Sequence, residues 1–250
     1  MDEQTIKTQV KNRYAAVAQQ ESSCCGPSSC CGEQPSVNPL VDYGDLSLNI
    51  IEGADLGLGC GLPTQDAGIQ PGHTVLDLGS GAGVDVFLAA QAVGPHGKVI
   101  GVDMTPQMIA RAWDNAVRGG YSNVDFRLGE IESLPVEDAS VDVVLSNCVI
   151  NLVPDKVSVF SEIYRVLKAG GRFSVSDMVT YGDVPQDIRE DMALWAGCVA
   201  GALDRDEYLQ IVREAGFIDL HIKDFVEYDY LKSENYGLAS LSLQARKEEA

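Results

Sequence analysis

The stretch Val75-Leu76-Asp77-Leu78-Gly79-Ser80-Gly81-Ala82-Gly83, followed by the apolar run Val84 to Val93, constrains this chain more than any other. An apolar segment breaks at three alternating glycines and reopens as a helix. Glycine has no Cβ, so backbone N–H groups at the helix start can approach a ligand closely. The pattern predicts a strand, a nucleotide-cradling turn and a helix. A dinucleotide site wants glycine at 84 for close helix packing beneath a pyrophosphate, and Val84 stands there instead. Asp103 closes the next strand pattern, Ile100-Gly101-Val102-Asp103, about 20 residues on, where a carboxylate can take both hydroxyls of a ribose. Its alternative role is a helix N-cap, for which Thr105 before Pro106 is better placed.

The chain has 250 residues, 45% of them hydrophobic, enough for one substantial domain with additions. Its net charge of −19, from 37 acidic and 18 basic residues, repels phosphate backbones and anionic lipid heads, so neither nucleic acid nor a membrane surface is an expected partner. No run approaches the roughly 18 apolar residues of a spanning helix. The first residues carry acids where a secretion signal carries bases, so a cytoplasmic protein is expected. In a reducing compartment its seven cysteines read as metal or redox chemistry rather than a disulfide framework.

Ile6, Val10, Tyr14 and Val17 recur at helical spacing and predict a short N-terminal helix. Residues 21–39 form a Ser-, Gly-, Pro- and Cys-rich arm carrying Cys24, Cys25, Cys30 and Cys31, and residues 42–63 a glycine-rich loop carrying Cys60. From Thr74 the chain alternates strands (74–78, 98–102, 123–128, 141–146, 171–177) with helices (82–93, 105–119, 155–168, 188–200, 204–215). Two final strands, 220–230 and 238–246, should pair antiparallel at one edge. The expected class is α/β: a doubly wound, mostly parallel seven-stranded sheet with an antiparallel edge strand.

With Asp142-Val-Val-Leu-Ser-Asn147 as fourth strand, these motifs resemble the class I S-adenosylmethionine-dependent methyltransferases over roughly residues 74–246. The resemblance implies that Asp77, Gly79, Ser80 and Gly81 line the methionine portion of S-adenosylmethionine. It implies that Asp103 holds the ribose, that Ile131 and Glu132 contact the adenine, and that Met104 and Asn147 belong to the same pocket. Glu130 and Glu132 read equally well as solvated loop charges. On this view residues 1–41 are a helix and flexible arm, 42–250 the methyltransferase domain, and 178–215 a helical cap on the substrate side.

Transfer to a hydroxyl or amine would require a base. None of the three histidines (His73, His96, His221) sits at the carboxyl end of a strand, where such sheets bind ligands. Sulfur does. Cys148 follows the fourth strand, Cys198 sits in Leu194-Trp195-Ala-Gly-Cys198-Val-Ala-Gly201, and Cys60 lies between Gly59 and Gly61. A cysteine on an apolar helix face is more often core than ligand, but Cys60 is flanked by glycines on both sides. Three soft thiolates suit a thiophilic centre, zinc among them; trivalent arsenic fits as well, and its lone pair needs no base to attack a methyl group.

Gly59-Cys60-Gly61, Ser146-Asn147-Cys148-Val149-Ile150-Asn151-Leu152 with Pro154-Asp155-Lys156, and Trp195 to Leu203 around Cys198 resemble the arsenite methyltransferases. The resemblance implies that Cys60, Cys148 and Cys198 bind As(III), from arsenite or methylated arsenite. It also implies that an arm cysteine forms a disulfide with Cys60, to be reduced by thioredoxin or a small thiol; Cys24, Cys25, Cys30 and Cys31 all stand open for that role, Cys31 and Cys30 being nearest to Cys60 in sequence and Cys31 the one chosen. Gly57 and Leu62 replace the serine and asparagine common in that family's loop. A monomer is expected. The rivals are methylation of a small organic molecule such as a quinone precursor, and thiol-rich metal sequestration without catalysis.

Overall fold

The computed structural model describes residues 2–19, 50–51, 53–189, 201–228, 233 and 235–249. Helix α1 (Glu3–Gln19) is followed in the order of elements by β1 (Thr74–Leu78). There follow α2 (Val84–Val93), β2 (Lys98–Asp103), α3 (Pro106–Gly119), β3 (Val124–Leu128), β4 (Val141–Asn147), a 3₁₀ turn (Ile150–Leu152) and α4 (Lys156–Val166). The chain continues through β5 (Leu167–Gly182), α5 (Gln186–Arg189), α6 (Arg205–Glu214), β6 (Ile218–Tyr228) and β7 (Tyr236–Arg246).

The seven strands form one sheet in the order β3-β2-β1-β4-β5-β7-β6. β1 pairs parallel with both β2 and β4, so the chain reverses its direction of sheet growth there. Diverging connections on either side of such a pair leave a crevice at the strands' carboxyl ends, next to Gly79. β7 runs antiparallel between β5 and β6, so the reversed strand lies one position in from the edge.

The apolar strands are continuous because helices cover both faces: four of the five residues of β1 are buried. α2 is hydrophobic on nearly every side, since it lies between sheet and loop, and it buries Val86, Phe87, Ala89 and Val93. α3 begins at Pro106, whose fixed φ suits the first turn, and turns Met108, Ala112 and Ala116 inward. α4 ends at Val166, two residues earlier than its periodicity predicts, and β5 is much longer than 171–177. The length of β5 comes from its pairing with β7, Arg172 to Gly182 against Arg246 to Tyr236, which no local pattern encodes. Most of the helix expected over 188–200 lies outside the described residues. Among the described residues no helix is long and apolar enough to cross a membrane.

Candidate active site

The crevice beside Gly79 is an open cleft. Every residue assigned to the donor from sequence lines it: Asp77, Gly79, Ser80, Gly81, Asp103, Met104, Ile131, Glu132 and Asn147. Gly79 and Gly81 adopt positive φ (63° and 51°), a conformation that side chains resist. A Cβ on Gly79 would lie 2.5 Å from the Val149 methyls, while one on Gly81 would face open space, where a ligand can approach the backbone.

Thr105 is the N-cap of α3, and Asp103 supports it from the preceding strand end. Its Oδ1 accepts the Thr105 N–H at 2.8 Å and its Oδ2 the Gly81 N–H at 3.0 Å, so it braces the helix start and the glycine turn while remaining on the cleft wall. Asp77 and Asp85 are buried beside it. Burial, then the charges of Asp85 and Asp103, pushes the Asp77 carboxyl well above its ordinary range. Three buried acids crowded together fit a positively charged ligand. They suit the sulfonium and ammonium of S-adenosylmethionine and would repel a pyrophosphate.

Asp85 was not legible as a site residue, since one acid in an apolar helix start reads as a first-turn charge favoured by the dipole. In the structure its Oδ2 accepts a hydrogen bond from Asn147 Nδ2 at 3.2 Å. The same amide donates to Gly61 O at 2.8 Å, and its Oδ1 accepts the Cys60 N–H at 3.0 Å. Ser240 Oγ donates to Cys60 O at 3.0 Å, so the main chain of Cys60 is held on both sides.

Cys148 follows β4 in the left-handed region at φ 56°, which costs a non-glycine residue about 1–2 kcal/mol. Its N–H donates to Ser176 O at 2.8 Å, holding that geometry. Cys148 lines the donor wall. Cys60 and Cys148 are joined through their sulfurs, with Cα atoms 5.9 Å apart across a sequence separation of 88. The pairing differs from the one the resemblance implies: the partner of Cys60 here is Cys148, and Cys24, Cys25, Cys30, Cys31 and Cys198 lie outside the described residues. The two cysteines sit in an apolar cluster with Ile6, Val10, Leu152, Met178, Ala202 and Leu238, so Cys60 has neighbours its flanking glycines did not suggest.

Two of those neighbours belong to α1. Val10 and Tyr14 close one side of the donor cleft, and Lys7 bridges Glu130 at 2.8 Å and Glu132 at 2.7 Å. The two acids are therefore neither simply solvated nor free for adenine alone. Amphipathic spacing announced the helix, but nothing in it said which surface the helix would cover.

A parallel sheet reversed at β1, a glycine turn under an acidic strand end and a cation-receiving cleft define a class I methyltransferase, with S-adenosylmethionine as its cofactor. A family model described as a methyltransferase domain matches residues 69–216. An arsenite methyltransferase of Halobacterium salinarum is 44% identical over 264 residues, covering 98% of this chain and 68% of its own length. One from Aquipseudomonas alcaligenes is 41% identical over 225 residues, covering 84% of this chain and 61% of its own. The crystal structure of an arsenic (III) S-adenosylmethionine methyltransferase from Chlamydomonas reinhardtii superposes with a TM-score of 0.69 at 39% identity, covering 76% of this chain and 68% of that one. The chain belongs to the arsenite methyltransferase family and spans about two thirds of the length of these relatives.

Proposed function

We propose that the protein methylates trivalent arsenic, as arsenite or methylated arsenite, held by the thiolates of Cys60, Cys148 and Cys198, in an arsenic-detoxifying reaction. The observation that carries this reading is that Cys60 meets Cys148, which lines the donor cleft, across a separation of 88 residues. Ala202, four residues beyond Cys198, packs in the same apolar cluster and supports its inclusion.

The donor supplies an electrophilic methyl on a sulfonium and departs as a neutral thioether. Asp77, Asp85 and Asp103 favour the charged donor over the neutral product, which assists release. Asn147 holds the Cys60 loop against the donor wall, and the left-handed turn at Cys148 presents its thiol there, so the two sulfurs aim the arsenic lone pair along a fixed line. A lone-pair nucleophile needs no proton removed, in keeping with the absence of histidine from the cleft lining.

A sulfur engaged in a disulfide cannot ligate arsenic. The Cys60–Cys148 pair must first take up two electrons and two protons, which thioredoxin or a small thiol in the cytoplasm would supply. The Cys-rich arm within residues 1–41 and a cap drawn from residues 178–215 complete this reading of the chain.

Incubating the reduced protein with arsenite, S-adenosylmethionine and a thiol reductant should yield methylated arsenicals by mass spectrometry. Full activity of Cys148→Ser would remove the thiolate assignment.

A further inference from the structure

Next to the Cys148 turn lies a pair of charged residues that do not line the donor cleft. Asp177 in β5 is 2% exposed and Lys156 at the start of α4 is 5% exposed. Burying two charges is costly, and an apolar pair of similar volume commonly serves a core as well or better. Their placement shows what they hold.

The segment from Cys148 to Val153 is fastened at three points. The Cys148 N–H donates to Ser176 O at 2.8 Å. The Asn151 N–H donates to Asp177 Oδ2 at 3.1 Å, while Oδ1 takes the Met178 N–H at 3.0 Å. Lys156 Nζ donates to Val153 O at 2.9 Å. Asn151 Nδ2 adds a bond to Met178 O. Burial pushes the Asp177 carboxyl up to about 7, with Lys156 and the two N–H donors pulling the other way. Release any of these ties and the left-handed residue at Cys148 can relax toward the ordinary αR or β regions, turning its sulfur off the cleft wall.

We infer that the buried pair Asp177–Lys156 is a positioning device for the Cys148 thiol, clamping the turn that aims arsenic at the methyl donor. The inference rests on the thiolate reading above. Its closest analogue is the set of outer groups that orient metal ligands, whose loss commonly weakens metal affinity about 10- to 100-fold.

The test uses the full chain, reduced, as Asp177→Asn, Lys156→Met and the double variant, with Cys148→Ser as reference. Three quantities are read: arsenite affinity, S-adenosylmethionine affinity, and iodoacetamide alkylation rates of Cys148 and Cys60 by peptide mass spectrometry. Each single variant should weaken arsenite binding about 10- to 100-fold, in the range of such outer groups. Cys148 alkylation should quicken several-fold as its turn opens, while Cys60 alkylation and donor affinity stay within about twofold. The double variant should lose no more than the worse single, because the two residues act as one unit. Unchanged Cys148 alkylation, or arsenite and donor affinity falling together, overturns the inference. If Asp177→Asn does not fold, Lys156→Met decides on the same readouts. If Cys148→Ser keeps full arsenite affinity, the thiolate reading fails, while the alkylation ratio still judges the clamp.

Discussion

The side-chain amide of Asn147 is bound into the main chain around Cys60: it accepts the Cys60 N–H at 3.0 Å and donates to Gly61 O at 2.8 Å. One residue before the second cysteine thereby carries the first. The same amide reaches Asp85 Oδ2 at 3.2 Å, so a carboxylate in the donor wall, a strand end and the glycine loop form one hydrogen-bonded chain.

Crowding this contact should separate activity from stability. A Cβ at Gly59 would lie 2.8 Å from Asn147 Nδ2, and the loop must shift to admit it. Gly59→Ala is expected to lower methyl transfer by tenfold or more while changing stability by less than about 1 kcal/mol, since the loop can yield without opening the core. Asn147→Ala removes the hydrogen bonds themselves and should cost about 1–3 kcal/mol as well. Steady-state rates with thermal melts check both.

Arsenite binding should depend on the redox state of one pair. Protein oxidised at Cys60 and Cys148 is expected to bind arsenite poorly. A thiol reductant should restore binding together with two additional titratable thiols, since two half-cystines are released. Cys60→Ser should bind arsenite weakly in either state and S-adenosylmethionine normally. Arsenite bound equally well before and after reduction would contradict the assignment.

Donor binding should release protons. Burial and neighbouring acids raise the Asp77 carboxyl, and burial raises Asp103, so part of this cluster holds protons when the cleft contains no cation. A cation favours the charged forms and lowers those values, hence protons leave on binding and donor affinity rises with pH until the acids are ionised. The neutral product S-adenosylhomocysteine should release fewer. Calorimetry in buffers of different ionisation enthalpy measures the difference.

Helix α1 should act on donor affinity more than on the chemical step. Lys7 is held charged by Glu130 and Glu132, against the opposing effect of burial. Partly exposed ion pairs are worth about 0.2–1 kcal/mol each, so Lys7→Ala should raise the KM for S-adenosylmethionine about two- to tenfold and leave kcat nearly unchanged. High salt should act on the unaltered protein in the same direction. A fall confined to kcat would place Lys7 elsewhere in the mechanism.

Periodicity and glycine spacing were enough to write down nearly the whole architecture. The strand-turn-helix at Val75 to Val93, the acidic end of β2 and the alternation of apolar segments are local patterns, set by side-chain period and by the conformations glycine permits. The residues that the resemblance implied for the donor sit on elements those patterns define, and the fold gathers them around one cleft. Asp85, Lys7 and Asp177 were not legible: an acid in a helix start, a lysine on an amphipathic helix and an aspartate in a strand have ordinary readings until a distant segment packs against them.

What the residues determined alone was a nucleotide cradle with thiols near its rim, since both follow from residue type and position on predictable elements. What only the folded chain decided was pairing over long separations: Cys60 with Cys148, Asn147 with the Cys60 main chain, and β5 with β7. Contacts of that kind arise from loop closure and burial summed over many segments, and no window of sequence contains both partners.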